Sequence, residues 1–285
     1  MHGYLSVPLE WEQIESGRIG AFVTSETFRR PDGRVVTWDS RTHRKRGRGD
    51  VSGSTWWAPR ALAWWVAVLF IVGSACFVVG PAPGYLAWVG FTADAATFFV
   101  GSLFFTSAAL LQYIEVAAAP RTAAGAPGSV RRPFLGIETR RIDWWAAAVQ
   151  LVGTLYFNVT TFAAMNTNLD AVQARHRIWT PDVLGSICFL VASELAFAEV
   201  GHHLVSWMPH RRTWRITALN LFGSLAFGVS AIASFVLPTT GEPASLWLTN
   251  AGTFVGAVCF LIGAVLLLPE RTHPEVNSVE EPLTH

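Results

Sequence analysis

The sequence predicts an all-α membrane protein: six transmembrane helices as three tandem two-helix repeats, preceded by a small N-terminal cytoplasmic β-hairpin segment. Three observations carry this reading. The 285-residue chain is 51% hydrophobic and only 14% charged, where soluble domains average about 25% charged residues. Six apolar runs, at 61–79, 95–114, 144–165, 183–198, 216–237 and 244–268, each approach the ~20 residues a bilayer-spanning helix needs. Glu194 is the one charge inside any of them. In hydrocarbon no water pairs the backbone amides, so such runs must be helices. The third observation is that all six runs align on a glycine without a gap.

Residues 1–59 form a polar N-terminal region with no apolar signal-peptide core near Met1, so the first span should act as an uncleaved signal anchor. Within it, "AFVTSETFRRPDGRVVTWDS" (21–40) places two β-rich runs around Pro31-Asp32-Gly33, a turn signal between strands. Two strands alone are marginal in water, so this hairpin should pack on the loops or on a cytoplasmic protein partner. The basic run "RTHRKRGRGD" follows. Each such residue gains about 1 kcal/mol beside anionic lipid headgroups. The run is short and lacks interleaved aromatics, so no nucleic-acid partner is expected.

The transmembrane domain spans 60–270, divided into hairpins at 60–118, 140–207 and 211–270. The odd helices read "GSACFVVG" from Gly73, "GTLYFNVT" from Gly153 and "GSLAFGVS" from Gly223; the even helices read "GSLFFTSA" from Gly101, "GSICFLVA" from Gly185 and "GAVCFLIG" from Gly256. Each has a small residue at +1, phenylalanine at +4 and a slim residue at +7. The odd helices share tryptophan at −9 (Trp64, Trp144, Trp214) and the even helices glutamate at +14 (Glu115, Glu199, Glu270). Recurrence at many positions at once marks a repeat. Lipid offers helices no hydrophobic reason to associate, so a stripe of small residues lets backbones approach and pack. Residues 271–285 form a short acidic tail.

Of the 21 Lys and Arg, nineteen fall in 1–60, 116–143, 202–215 and the tail, while Arg175 and Arg177 lie on the opposite side. Lys and Arg are enriched in cytoplasmic loops, so both termini should be cytoplasmic. Near-exclusive use of Arg over Lys suggests a GC-rich bacterial genome, hence a multi-pass protein of a bacterial inner membrane. Cys76, Cys188 and Cys259 have no metal-ligand spacing and read as small apolar fillers.

The +14 glutamates lie near helix C-termini, where the helix dipole disfavours an anion. Arg60, Arg140, Arg141, Arg211 and Arg212 precede the odd-helix glycines by eleven to thirteen positions. A structural rim pairing Glu115, Glu199 and Glu270 with these arginines is the simplest expectation. Asp94, Asp143 and Asp182 fall at helix starts, where they complement the dipole. Glu194 inside a span needs a partner or water, and with Gln150 and Asn220 it defines a candidate polar path. In "ELAFAEVGHH", Glu199 and His202 share a helix face. That spacing holds metal in some four-helix bundles, making Glu194, Glu199, His202 and His203 a candidate metal site. No cofactor is expected.

The even-helix pattern, clearest in "GTFVGAVCFLIGAVLLLPE" (252–270), resembles the YrhK-like family of small bacterial membrane proteins. The resemblance implies helical hairpins and carries no activity. Nothing matches a nucleophile elbow, a P-loop or a Rossmann fingerprint. Three readings follow in order: a non-catalytic scaffold or sensor, a transporter or channel for a small solute or ion using Glu194, and a membrane metalloenzyme.

Overall fold

The computed structural model describes residues 10–39, 56–118, 137, 139–201 and 205–270. The basic run at 41–50, His202, His203, the side chain of Glu270 and the acidic tail lie outside what it describes.

The N-terminal segment is a three-stranded antiparallel sheet, β1 (Glu12–Ile19), β2 (Phe22–Arg29) and β3 (Val35–Asp39), with β2 in the middle. The second turn is the expected Pro31-Asp32-Gly33: the Arg34 amide donates to Asp32 Oδ1 at 3.0 Å and Gly33 takes a φ of 80°. The first strand, "EQIESGRI", was not expected, because it is almost wholly polar. It joins β2 through a tight turn at Gly20, whose φ of 55° suits glycine. This third strand gives β2 a partner on both edges, and Thr24, Glu26 and Phe28 on one face of β2 are buried.

Among the described residues six helices are long and apolar enough to cross a membrane. They are α1 (Leu62–Val79), α3 (Phe91–Ala117), α4 (Ile142–Ala164), α5 (Ala171–Gly201), α6 (Arg212–Ala233) and α7 (Leu246–Glu270), with a short α2 (Tyr85–Val89) in the loop before α3. The protein is a multi-pass membrane protein. The spans form three hairpins, α1–α3, α4–α5 and α6–α7. Contacts between α3 and α4, α5 and α6, and α7 and α1 close them into a ring. The sheet packs through β2 on α4; Ile142 and Asp143 at the start of α4 are buried while Phe162 at its other end is exposed, which puts the sheet at the end where the odd helices begin.

The aligned glycines meet in pairs. A Cβ on Gly101 would stand 2.7 Å from Cys76 Cβ, one on Gly153 would stand 2.9 Å from Cys188 Cβ, and one on Gly223 would stand 3.0 Å from the Gly256 carbonyl. In lipid this approach is what dispersion between helices requires. The +7 positions sit opposite −3 of the partner helix: the Phe98 ring lies against Gly80, Ser230 Oγ bonds Thr253 Oγ1 at 2.8 Å, and Asn220 lies against Gly263.

The repeated tryptophans do more than float in an interface. Trp64 and Trp214 are buried, and each donates Nε1 to a carbonyl eight residues back, Trp56 O and Ser206 O, at 3.0 Å. Their rings stack edge-on with the exposed Trp57 and Trp207. At the far end Trp88 and Trp247 are exposed, as interfacial belts require.

Helix α5 begins twelve residues before the expected run at 183. Asp170 caps it, accepting the Gln173 amide at 2.8 Å in a capping box. Asp182 is therefore internal, not a helix start, and accepts from Ser234 Oγ at 3.4 Å. Arg175–Trp179 form a π-turn. Pro181 supplies the reason: it has no N–H to donate, and its ring would crowd the Arg177 carbonyl in a regular helix.

Candidate functional site

All six +4 phenylalanines converge on the bundle axis. Phe105, Phe189 and Phe260 of the even helices form a triangle with ring centroids 5.7–6.2 Å apart. Phe77, Phe157 and Phe227 of the odd helices form a second layer. Each contacts its hairpin partner in the first, at 5.6, 4.9 and 5.7 Å. All six are buried in one hydrophobic cluster. Rings in tilted and edge-on contact at these spacings are close-packed. The middle of the bundle is thus a solid aromatic plug. Sequence spacing placed these rings on the ridge beside the glycine stripe; that they meet one another follows from ring closure, which no single helix encodes.

No hydrogen bond joins Glu194, Gln150 and Asn220 of the candidate polar path to one another among the described residues. Glu194 shares its helix stripe with Ile187 and Val191, both exposed on the outside of the ring. It lies about 14 Å along α5 from Gly185 at ~1.5 Å per residue. Among the described residues it has no hydrogen bond or ion pair. Asn220 instead lies in the seam of its own hairpin, its Oδ1 2.7 Å from where a Gly263 Cβ would stand. Gln150 is half-buried on α4.

The charged groups concentrate at the sheet end. Among the described residues four charged side chains are buried: Glu26 on β2, Arg141 and Asp143 at the start of α4, and Glu199 near the end of α5. Arg141 donates both Nε and Nη2 to the two carboxylate oxygens of Asp143, the Nε bond measuring 2.9 Å. Its Nη1 donates to the Val116 carbonyl at 3.0 Å. A bidentate guanidinium–carboxylate pair is the strong form of a charged hydrogen bond, and the same arginine caps a carbonyl in the last turn of α3. Arg141 is held by the aspartate two residues on, which had been read as a helix-dipole partner. Gln13 Nε2 donates to Glu26 Oε1 at 3.3 Å across the sheet. The side chains of Glu115, Arg60, Arg140, Arg211 and Arg212 make no hydrogen bond or ion pair among the described residues.

Among the described residues no group of three His, Cys, Asp or Glu is placed to hold a metal ion. Two of the four metal candidates, His202 and His203, lie outside that set. Glu194 and Glu199 point differently: one is half-buried on the outward stripe, the other fully buried. The hydroxyls between hairpins were legible as small residues, not as bonds. Ser102 Oγ meets Thr161 Oγ1 at 2.9 Å, and Ser193 Oγ meets Ser224 Oγ at 2.8 Å. Comparison with protein-family models, with curated proteins and with solved structures finds no match to this chain.

Proposed function

We propose that this protein is a non-catalytic membrane scaffold or sensor, in which a rigid six-helix bundle holds a small sheet at the membrane surface for a cytoplasmic partner. The single observation that carries this reading is the six-ring plug, which leaves the axis no room for a solute at mid-bundle. The buried Arg141–Asp143 pair beside the packed sheet supports it, since such a pair fixes geometry well even where it adds little stability. The charge distribution supports cytoplasmic termini in a bacterial inner membrane. The three similar hairpins support an origin by internal repetition, and the YrhK-like resemblance belongs to the same proposal.

The test is reconstitution. Liposomes carrying the purified protein are expected to leak Na⁺, K⁺, H⁺ and small metabolites no faster than protein-free liposomes. Flux above that baseline that Glu194→Gln abolishes would overturn the reading in favour of a transporter.

A further inference from the structure

The end of the bundle remote from the sheet carries a groove of about 460 Å³ on the outer side of α4 and α5. Val159, Phe162, Ala163, Met165 and Leu169 wall it, and Asn166 and Arg177 stand at its rim. Val159 and Phe162 are 52% and 65% exposed, so no other helix covers the wall. Apolar side chains so placed on a spanning helix face acyl chains.

The cation is what sets this groove apart. The remote end carries two basic residues, Arg175 and Arg177, both in the first turns of α5. Arg175 is engaged: Nη2 donates to the Val236 carbonyl at 3.2 Å, and its guanidinium stands 5.1 Å from the centre of the Phe235 ring. Arg177 has no hydrogen bond, ion pair or ring contact among the described residues. Of the two acids nearest it in sequence, Asp182 accepts from Ser234 Oγ and Asp170 is occupied in the capping box, and neither lines the groove. Ala93 and Leu248 occupy the corresponding position in α3 and α7, so the charge belongs to this hairpin alone. Arg177 precedes Gly185 by eight residues, about 12 Å along the helix. Half the hydrocarbon thickness is about 15 Å, so the guanidinium reaches the headgroup level by extending a little. A cation there needs an anionic partner. The guanidinium fork matches phosphate oxygens in pairs.

We propose that this groove holds one phospholipid of the leaflet remote from the sheet. Arg177 donates to the lipid phosphate. Asn166, whose Oδ1 already accepts the Asn168 amide at 3.0 Å, donates its Nδ2 to the phosphate or an ester oxygen. One acyl chain lies along Val159, Phe162 and Ala163.

Native mass spectrometry of the full-length protein in detergent tests this, with phosphatidylglycerol, a diacylglycerol of the same chains, or inorganic phosphate added. The parent is expected to retain one phosphatidylglycerol that Arg177→Gln loses, with apparent affinity weakened about tenfold or more. Ala163→Phe, which fills the groove and leaves the arginine, should lose it too. Diacylglycerol and inorganic phosphate should be retained by neither parent nor variants. Both substitutions are at the bundle surface, and parent-like elution from gel filtration establishes that they fold. Equal phosphatidylglycerol retention by Arg177→Gln and the parent overturns the site. So does retention of diacylglycerol as strong as that of phosphatidylglycerol, or of free phosphate without lipid.

Discussion

The three seams between hairpins are built at corresponding positions from different chemistry. At the α3–α4 seam, Ser102 bonds Thr161, and Thr106 Oγ1 donates to Asn158 Oδ1 at 3.1 Å. At the α5–α6 seam, Ser193 bonds Ser224, Ser224 also reaches the Phe189 carbonyl at 3.2 Å, and Trp179 Nε1 donates to the Ala231 carbonyl at 3.0 Å. At the α7–α1 seam, which closes the ring, no side-chain hydrogen bond crosses among the described residues. Where α5 and α6 put Ser193 and Ser224, α7 and α1 put Ala264 and Ser74. Two seams are thus bonded, and the closing one rests on packing around Ala257, Ala264 and Val66. Closing a ring in lipid does not need polar contacts if the surfaces fit; the bonded seams add orientation to fit.

The largest effect should come from spoiling that fit. Ala257 is wholly buried, so Ala257→Leu inserts three carbons where nothing can yield. A loss of about 3 kcal/mol is expected from overpacking, read as a lower midpoint in SDS-titrated unfolding from mild detergent. A smaller loss than Ser224→Ala would mean the closing seam is loose. Ser224→Ala comes second, at about 1–2 kcal/mol, because it deletes a bond and strands the Ser193 hydroxyl in a buried place. If both changes left the midpoint unmoved, the distinction between bonded and unbonded seams would have no energetic content.

How much of this was legible in the sequence differs by element. The glycine pairs were, because close approach needs glycine at fixed heights in six helices at once. The plug was half legible: a phenylalanine recurring at +4 announces packing, but its destination depends on how the ring closes. The seam hydroxyls were not, since serine and alanine serve equally as small residues and only the neighbouring helix decides whether a partner exists. The start of α5 was misplaced because apolar length marks the buried part of a helix, and this one continues past it to a capping aspartate. The bond between Arg141 and Asp143 was not legible because each member has a sufficient local explanation alone.

A gain should follow from making the closing seam resemble the others. Ala264→Ser supplies the hydroxyl that Ser193 supplies in α5, within the same interhelical register as Ser74. Interhelical hydrogen bonds in lipid are worth about 0.6 kcal/mol on average, so the unfolding midpoint should rise by a small, measurable amount. A fall instead would show that the α7–α1 seam is too tight for an oxygen, and that its dryness is a packing requirement.

The smallest effect is the sharpest comparison. Ser74, Ser102, Ser186 and Ser224 all occupy +1, all are buried, and chemically they are one group. Ser102 and Ser224 have hydroxyl partners across a seam; the Oγ atoms of Ser74 and Ser186 have none. A buried hydroxyl without a partner costs folding energy that its removal returns, offset by the small void left by one oxygen. Ser74→Ala and Ser186→Ala should therefore leave stability unchanged within about 0.5 kcal/mol or raise it, while Ser102→Ala and Ser224→Ala lower it. Four substitutions identical in the atom removed then differ chiefly in what lay across the seam, Ser102 alone also bonding the Phe99 carbonyl of its own helix at 2.8 Å. A uniform loss across all four would assign these serines to helix packing alone and remove hydrogen bonding from the account of how the hairpins are joined.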